Sequence, residues 1–312
     1  MLLIITNSDD VSVDYLIRHL DERNLPFFRF NSDFASDYQI NVSIAGNEFG
    51  GTIRNNSHEV DFLSVTSVLY RRAIRPVFNG PYRNFRAREF RHAFEGLLLA
   101  LGERVRWVNP LHETELAERK VLQLRAAQKE GFNVLPSVIS NNFQAVESFL
   151  SRLGEEAVAK PVSHGLVLEN QRAHSVYATL VDSHKGLERE AVELSPVIYQ
   201  KAVVDKKDVR LTVIGSSIFT VSIEQEAEAQ LDWRKESCHC KYLSIQAPVG
   251  IEKKCLRLMK RLGLNYGAFD FVIDTKGVWY FLEVNPAGEW AWLDVALGLS
   301  MRDAFEQVLY EH

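Results

Sequence analysis

Cysteine is scarce in this chain, with three among 312 residues. Cys238, Cys240 and Cys255 are too few for a disulfide framework. Cys238-His239-Cys240 has no second ligand pair, and alternate residues of one short segment rarely wrap a tetrahedral zinc ion. Long apolar runs are missing too, since none approaches the roughly 20 residues that span a bilayer. The opening MLLIITNSDD carries neither the basic stretch nor the cleavage site of a signal peptide. These absences predict a cytoplasmic protein without a membrane partner. Net charge is −5, so no global basic field recruits nucleic acid. Glycine patterns are equally sparse. No Gly-x-Gly-x-x-Gly follows the first strand, no Walker-type Gly-x-x-x-x-Gly-Lys-Ser/Thr occurs, and no His-Arg-Asp set is present. Dinucleotide, P-loop and protein-kinase chemistry are thereby excluded, and there is no internal repeat.

What is present is an ordinary globular balance, 46% hydrophobic and 25% charged, in a chain long enough for two or three units. The first unit reads as strand 2–6, helix 11–23 and strand 27–30, with short strands at 40–44, 51–53 and 68–72. This βαβ opening predicts an open, partly parallel sheet. A helix over 82–101 follows, and Trp107-Val108-Asn109-Pro110 closes the unit near residue 113. Next come one helix over 115–130 stopped at Gly131, and a helix over 143–153 capped by Asn141 or Asn142. Strand 157–160 delivers Lys160 and is followed by His164 and Gly165. Strand 197–203 leads to a hairpin around Gly215-Ser216, a polar loop over 224–241, a helix over 250–262 and a last helix over 293–309. The fold class is α/β with α+β character, in units 1–113, 114–198 and 199–312.

The most informative stretch is GAFDFVIDTKGVWYFLEVNPAGEWAW, residues 267–292. It reads as two strands joined at Asp274-Thr275-Lys276-Gly277 and ended by Pro286. Side chains alternate along a strand, so Glu283 and Asn285 share a face. If Ile273 pairs with Val278, Asp270 lies opposite Phe281 and diagonal to Glu283. Carboxylates on a hairpin are often just a solvated face, but these sit among Phe, Val, Trp and Leu, where an unpaired charge is costly. Asp270, Glu283 and Asn285 together are hard oxygen donors suited to Mg²⁺ shared with phosphate.

Upstream lie the cations such a site needs. Phosphoryl transfer depends on charges placed on the phosphate oxygens rather than on covalent help from the protein. Lys120 and Lys160 come from separate segments and can hold phosphates; Arg210 and Arg234 can stabilise the transferring group. Main-chain groups of Gln200, Lys201, Ala202 and Val203 can meet an adenine edge, and Asp205 the ribose. Arg72 and Arg75, after a strand end, have the fork geometry to hold carboxylates or phosphate, although most arginines of that stretch read as a solvated face.

This ordered set resembles the ATP-grasp superfamily from about residue 114 onward. Asp270 and Glu283-Val284-Asn285-Pro286 match its metal signature, Lys120 and Lys160 its nucleotide lysines, and Asp208-Val209-Arg210 its Asp-x-Arg. Tyr70-Arg71-Arg72, Arg75-Pro76, the Trp107–Pro110 link, Asp232-Trp233-Arg234 and Gly288-Glu289-Trp290 are similar to the microviridin-type ribosomal peptide maturases, or graspetide synthetases. The resemblance implies an ATP-grasp fold with an N-terminal pre-ATP-grasp α/β domain, using ATP and Mg²⁺. It implies that Asp or Glu side chains of a ribosomal precursor peptide become acyl phosphates, which Ser/Thr or Lys side chains attack to close ω-ester or ω-amide rings. The leader would bind near 211–243 and the acidic core near the N-terminal arginines; a homodimer is compatible with the sequence. One departure is the loop after Lys160, with only Gly165 where many relatives are glycine-rich, and His164 as its phosphate contact. Two other readings stand beside this one. One is an amino-acid ligase of the glutamate-ligase or glutathione-synthetase kind; the other is a non-catalytic peptide-binding module.

Overall fold

The strand Leu2–Thr6 is buried along its whole length, which explains a run of apolar residues without alternation. Leu2 and Ile4 pack with Val13, Leu16 and Leu20 of the helix Val11–Glu22 and with Phe305 of the last helix; Leu3 and Ile5 pack with Phe28, Phe94 and Leu98. The computed structural model describes residues 1–163, 165–169, 172–181, 187–225 and 240–311, with backbone alone at 103, 166–169 and 172–175.

Around that strand the order is Phe27–Asn31, Leu2–Thr6, Ser67–Tyr70, Arg106–Val108, and every pairing is parallel. The expected strands at 40–44 and 51–53 leave this sheet. They form an antiparallel sheet of Gln39–Ala45, Glu48–Arg54 and Glu59–Asp61.

Three further sheets follow, one of them the antiparallel pair Leu166–Glu169 and Arg172–Ser175. The central one runs Thr179–Val181, Ala157–Lys160, Val197–Lys201, Ser137–Ser140. The larger one runs Cys240–Ser244, Ser217–Gln225, Lys207–Ile214, Tyr266–Ile273, Trp279–Asn285, with Asn133–Val134 added in parallel at its edge. Its core joins Phe269, Phe271, Phe281 and Val284 to Cys255, Leu258 and Met259 of the helix Val249–Leu262. Ala126, Ala127 and Phe132 belong to this core rather than to that of the central sheet.

Two expected helices are each broken in two. Residues 115–130 fall into Leu111–Ala117 and Lys120–Lys129, because Arg119 turns to extended backbone at φ −77°, ψ 103°. The buried Gln123 side chain fixes the break: its amide donates to Ala117 O and, at 2.8 Å, to Val284 O, and it accepts from Val284 N at 3.1 Å. The last helix is Ala291–Leu297 followed by Met301–Tyr310. Gly298 turns left-handed, its N–H returning to Asp294 O at 2.8 Å, and the Asp294 carboxylate accepts from Met301 N at 2.9 Å.

Asn109 ties the first unit to the large sheet. Its amide donates to Tyr266 O and Pro286 O at 2.8 Å each, and its oxygen accepts from Asn265 N at 2.7 Å and Tyr266 N at 2.8 Å.

Candidate active site

The signature hairpin differs from its expected register. Ile273 pairs with Trp279, and the register shifts between Asp270 and Phe271, so Phe271 faces Phe281 while Asp270 stands directly opposite Glu283. One extra residue on a strand leaves two neighbours opposing one partner. Leu282 and Glu283 accordingly both line the cleft, while Phe281 and Val284 turn into the core. The bulge therefore brings the two carboxylates closer than the expected diagonal.

The cleft lies between the central and large sheets. Lys160, Gln200, Lys201, Ala202 and Val203 line it from one side, and Asp208, Asp270, Leu282 and Glu283 from the other; Lys120 and Lys206 also reach it. Leu135, Val158, Ile198 and Phe271 give it apolar walls. Flat apolar walls with charge at one end suit a nucleotide.

Each lysine arrives by a different route. Lys120 opens the helix that Gln123 anchors, and residues three apart on a helix share a face. Its Nζ donates to the Glu283 carboxylate. Lys160 Nζ donates to Gln200 Oε1 at 2.8 Å, and Gln200 Nε2 donates in turn to Ser137 Oγ at 2.8 Å. Gln200 is 1% exposed, so its side chain positions Lys160. Lys206, which sequence reasoning passed over as part of a polar segment, donates to both oxygens of Asp208. Burial pushes the Asp208 carboxyl above its ordinary range, against the pull of Lys206.

Arg210 is buried directly opposite Asp270, its Nε donating to Oδ1 at 2.8 Å. Asp270 and Glu283 supply hard oxygen donors on the cleft wall, so the donor set fits a magnesium ion. Asn285 Oδ1 accepts from Ala287 N at 3.0 Å, the geometry of a turn, and Asn285 is not among the residues lining the cleft.

Main-chain donors are partly committed. Lys201 N donates to Pro136 O at 2.9 Å and Ala202 N to Glu156 O at 2.8 Å, leaving the Val203 N–H without a main-chain partner among the described residues. Asp205 is exposed, at φ 51°, and does not line the cleft. Arg234 and His164 lie outside the described residues.

A second charged group adjoins the first. Arg71, 2% exposed and not singled out as a site residue, donates through Nε to Asp10 Oδ2 at 2.8 Å and through Nη1 to Gly288 O at 3.3 Å. Burial works to raise the Asp10 carboxyl, but Arg71 and hydrogen bonds from Thr6 and Val13 hold it below its ordinary value. Burial pushes the Tyr266 phenol up to about 12 despite Arg71 and Arg210, and its hydroxyl donates to Gly288 O at 2.6 Å. Arg72 is exposed and pairs with Glu289, while Arg75 is exposed beside a separate cavity near Tyr70. The doublet Arg71-Arg72 was visible in the sequence; which arginine is buried was not.

Comparison with known proteins bears on the fold that carries this cleft. A family model described as the MvdD pre-ATP grasp domain matches residues 1–115. The chain is similar to macrocyclase MdnC of Microcystis aeruginosa MRC, solved with precursor peptide MdnA, at 25% identity and TM-score 0.85 over 100% of this chain and 99% of that one. It is similar to an RiPP-associated ATP-grasp ligase of Chryseobacterium gregarium, solved with ADP and a leader and core peptide, at 24% identity and TM-score 0.89 over 99% and 96%. The ATP-grasp ligase PsnB, with a phosphomimetic variant of its minimal precursor, Mg and ADP, aligns at 18% identity and TM-score 0.76 over 99% and 97%. No curated protein matches the chain. The fold is an ATP-grasp fold with an N-terminal pre-ATP-grasp domain, and the resemblance to the graspetide synthetases runs the length of the chain.

Proposed function

We propose that this chain is an ADP-forming ATP-grasp ligase that closes ω-ester or ω-amide rings in a ribosomal precursor peptide. The observation that carries the reading is the bulged hairpin, which sets Asp270 and Glu283 opposite one another on a cleft that Lys120 and Lys160 also line.

In this reading the adenine lies between Leu135, Val158, Ile198 and Leu282 with its edge on the Val203 N–H, and Lys120 and Lys160 hold the phosphates. Asp205 would meet the ribose only if the 202–206 turn moves inward. Asp270 and Glu283 would hold Mg²⁺, which would neutralise phosphate charge, and Asn285 would join them on turning from Ala287 N into the cleft. Ligand entry separates Lys120 from Glu283, freeing one for phosphate and the other for the cation. Arg210 sits beside Asp270, where it can steady the transferring phosphoryl group; Arg234 and His164 are proposed as further phosphate contacts. Arg72 orients the acceptor acid.

A carboxylate oxygen of a peptide Asp or Glu attacks the γ-phosphorus, and ADP leaves. The acyl phosphate then has a leaving group the carboxylate lacked. A Ser/Thr hydroxyl or Lys amine attacks the acyl carbon, phosphate departs and the nucleophile's proton is released, so the peptide loses one water per ring. The leader would bind against 211–243, of which 226–239 lie outside the described residues; among the described ones, Cys240–Ser244 is an edge strand of the large sheet. Among the described residues no helix is long and apolar enough to cross a membrane. We place the enzyme in the cytoplasm; a homodimer is compatible with this reading.

Co-expression with a short neighbouring peptide whose tail carries Thr/Ser and Asp/Glu, followed by intact mass measurement, tests the reading. The expected result is loss of one water per ring, dependent on Glu283 and Lys160. An unchanged peptide mass despite ATP turnover would contradict it.

A further inference from the structure

The chain carries a carboxylate of its own close to where the proposed reaction needs a substrate's. Glu289 follows Gly288, and Gly288 is gripped from two sides. Its carbonyl accepts from Arg71 and Tyr266. A Cβ at position 288 would lie 3.4 Å from Arg210 Nη1. Successive Cα atoms are about 3.8 Å apart, so Glu289 is the immediate neighbour of the position against which Arg210 packs.

Three donors converge on Glu289. Its Oε1 accepts from Arg72 Nη1 and, at 3.3 Å, from Arg71 Nη2; its Oε2 accepts from the Ser12 hydroxyl. Ser12 is 1% exposed, and the Arg71 side chain 3%, so two of the three are fixed in the protein interior. The Arg72 and Glu289 side chains are 40% and 38% exposed. A carboxylate open to water on one side can exchange with another at little desolvation cost.

The partners differ in what they keep when Glu289 leaves. Arg71 retains Asp10, which is fully buried at 2.8 Å. The Arg72 guanidinium has no other acceptor among the described residues. Arg72 also holds φ 50°, a left-handed conformation that non-glycine residues adopt at a cost, and Asn7 Nδ2 donates to its carbonyl at 3.2 Å.

We infer that Arg72, backed by Ser12 and Arg71, is the subsite for the reacting Asp or Glu carboxylate, and that Glu289 fills it until that acid displaces it. The inference rests on the ligase reading above. It makes Glu289 a specificity-determining residue, because a neutral Asn or Gln side chain cannot compete with a resident carboxylate for a guanidinium.

The probe is N-acetyl-glutamate α-amide, with N-acetyl-glutamine α-amide as its neutral control, titrated into the full chain with Mg²⁺ and AMPPNP by ligand-observed NMR. Glu289→Gln keeps the shape and the Ser12 hydrogen bond but removes the competing charge. It should bind the acidic probe about tenfold more tightly than wild type, a charge-assisted contact being worth more than the 1.4 kcal/mol that tenfold represents. The gain should vanish in Glu289→Gln/Arg72→Gln, and the neutral probe should show none. No gain, an equal gain for the neutral probe, or lost affinity with a lowered melting temperature would overturn the inference, the last making Glu289 a clamp between units. Hydroxylamine trapping of acyl phosphate with ATP separates the two readings. Tighter acid binding without acid-dependent ADP release keeps the subsite and rejects the ligase; hydroxamate formation with no gain in Glu289→Gln does the reverse.

Discussion

The two walls of the cleft are built to different standards. The large sheet backs its cleft face with Phe269, Phe271, Phe281 and Val284 packed on a helix through Cys255, Leu258 and Met259. The central sheet has a core in which Val146, Val192 and Tyr199 are the buried members among the described residues. Asp270 and Glu283 sit on the first wall, with Arg210 beside Asp270; Lys160, Gln200 and Val203 sit on the second. In the proposed reaction, the groups that would hold an ion at fixed distance stand on the heavily packed wall, and those that would only meet phosphate and base stand on the light one. A thinly cored element opens at lower free energy than the whole fold, which suits a wall that must move aside for nucleotide.

The sharpest way to break this contrast is at its strong end. Phe281→Ala should cost about 3–5 kcal/mol of global stability in denaturant titration, and Mg²⁺-nucleotide affinity should fall with it. Glu283→Gln should leave the fold intact while lowering ADP release about 10²–10³-fold, or about 2.7–4 kcal/mol of barrier. Val146→Ala should cost about 2 kcal/mol, felt in hydrogen exchange of the central sheet and scarcely in the large one. Uniform exchange across both sheets would erase the distinction between the walls. The smallest effect concerns acid. The folded Asp10 carboxyl is held below its ordinary value, so its contribution is present above the unfolded pKa and fades as pH falls through the folded one. Wild type should therefore lose more stability than Asp10→Asn on acidification below about pH 4, measured as melting temperature against pH.

Much of this was legible from residue order alone. The first strand, its helix, the hairpin at Gly215 and the hairpin carrying Asp270 and Glu283 follow from apolar periodicity and turn chemistry, and all occur in the structure. The bulge did not show, because one extra residue leaves each strand apolar and only the pairing reveals it. The break at Arg119 did not show either: Glu118 and Arg119 are fair helix formers, and the cause is Gln123 reaching the distant strand edge at Val284. Gly298 did carry a signal, yet the apolar pattern runs on either side of it and suggested one helix. Burial decided the arginines. Arg71 faces inward and Arg72 outward because strand alternation ends at Tyr70, and the left-handed turn at Arg72 is invisible in composition.

The most direct test of the central claim is a crystal structure with AMPPNP and Mg²⁺. The account predicts a triphosphate against Lys120 and Lys160, with Lys120 released from Glu283, and a cation held between the phosphates and the carboxylates of Asp270 and Glu283. A nucleotide bound elsewhere, or bound in this cleft with Lys120 still on Glu283 and no cation between the carboxylates and the phosphates, would contradict it.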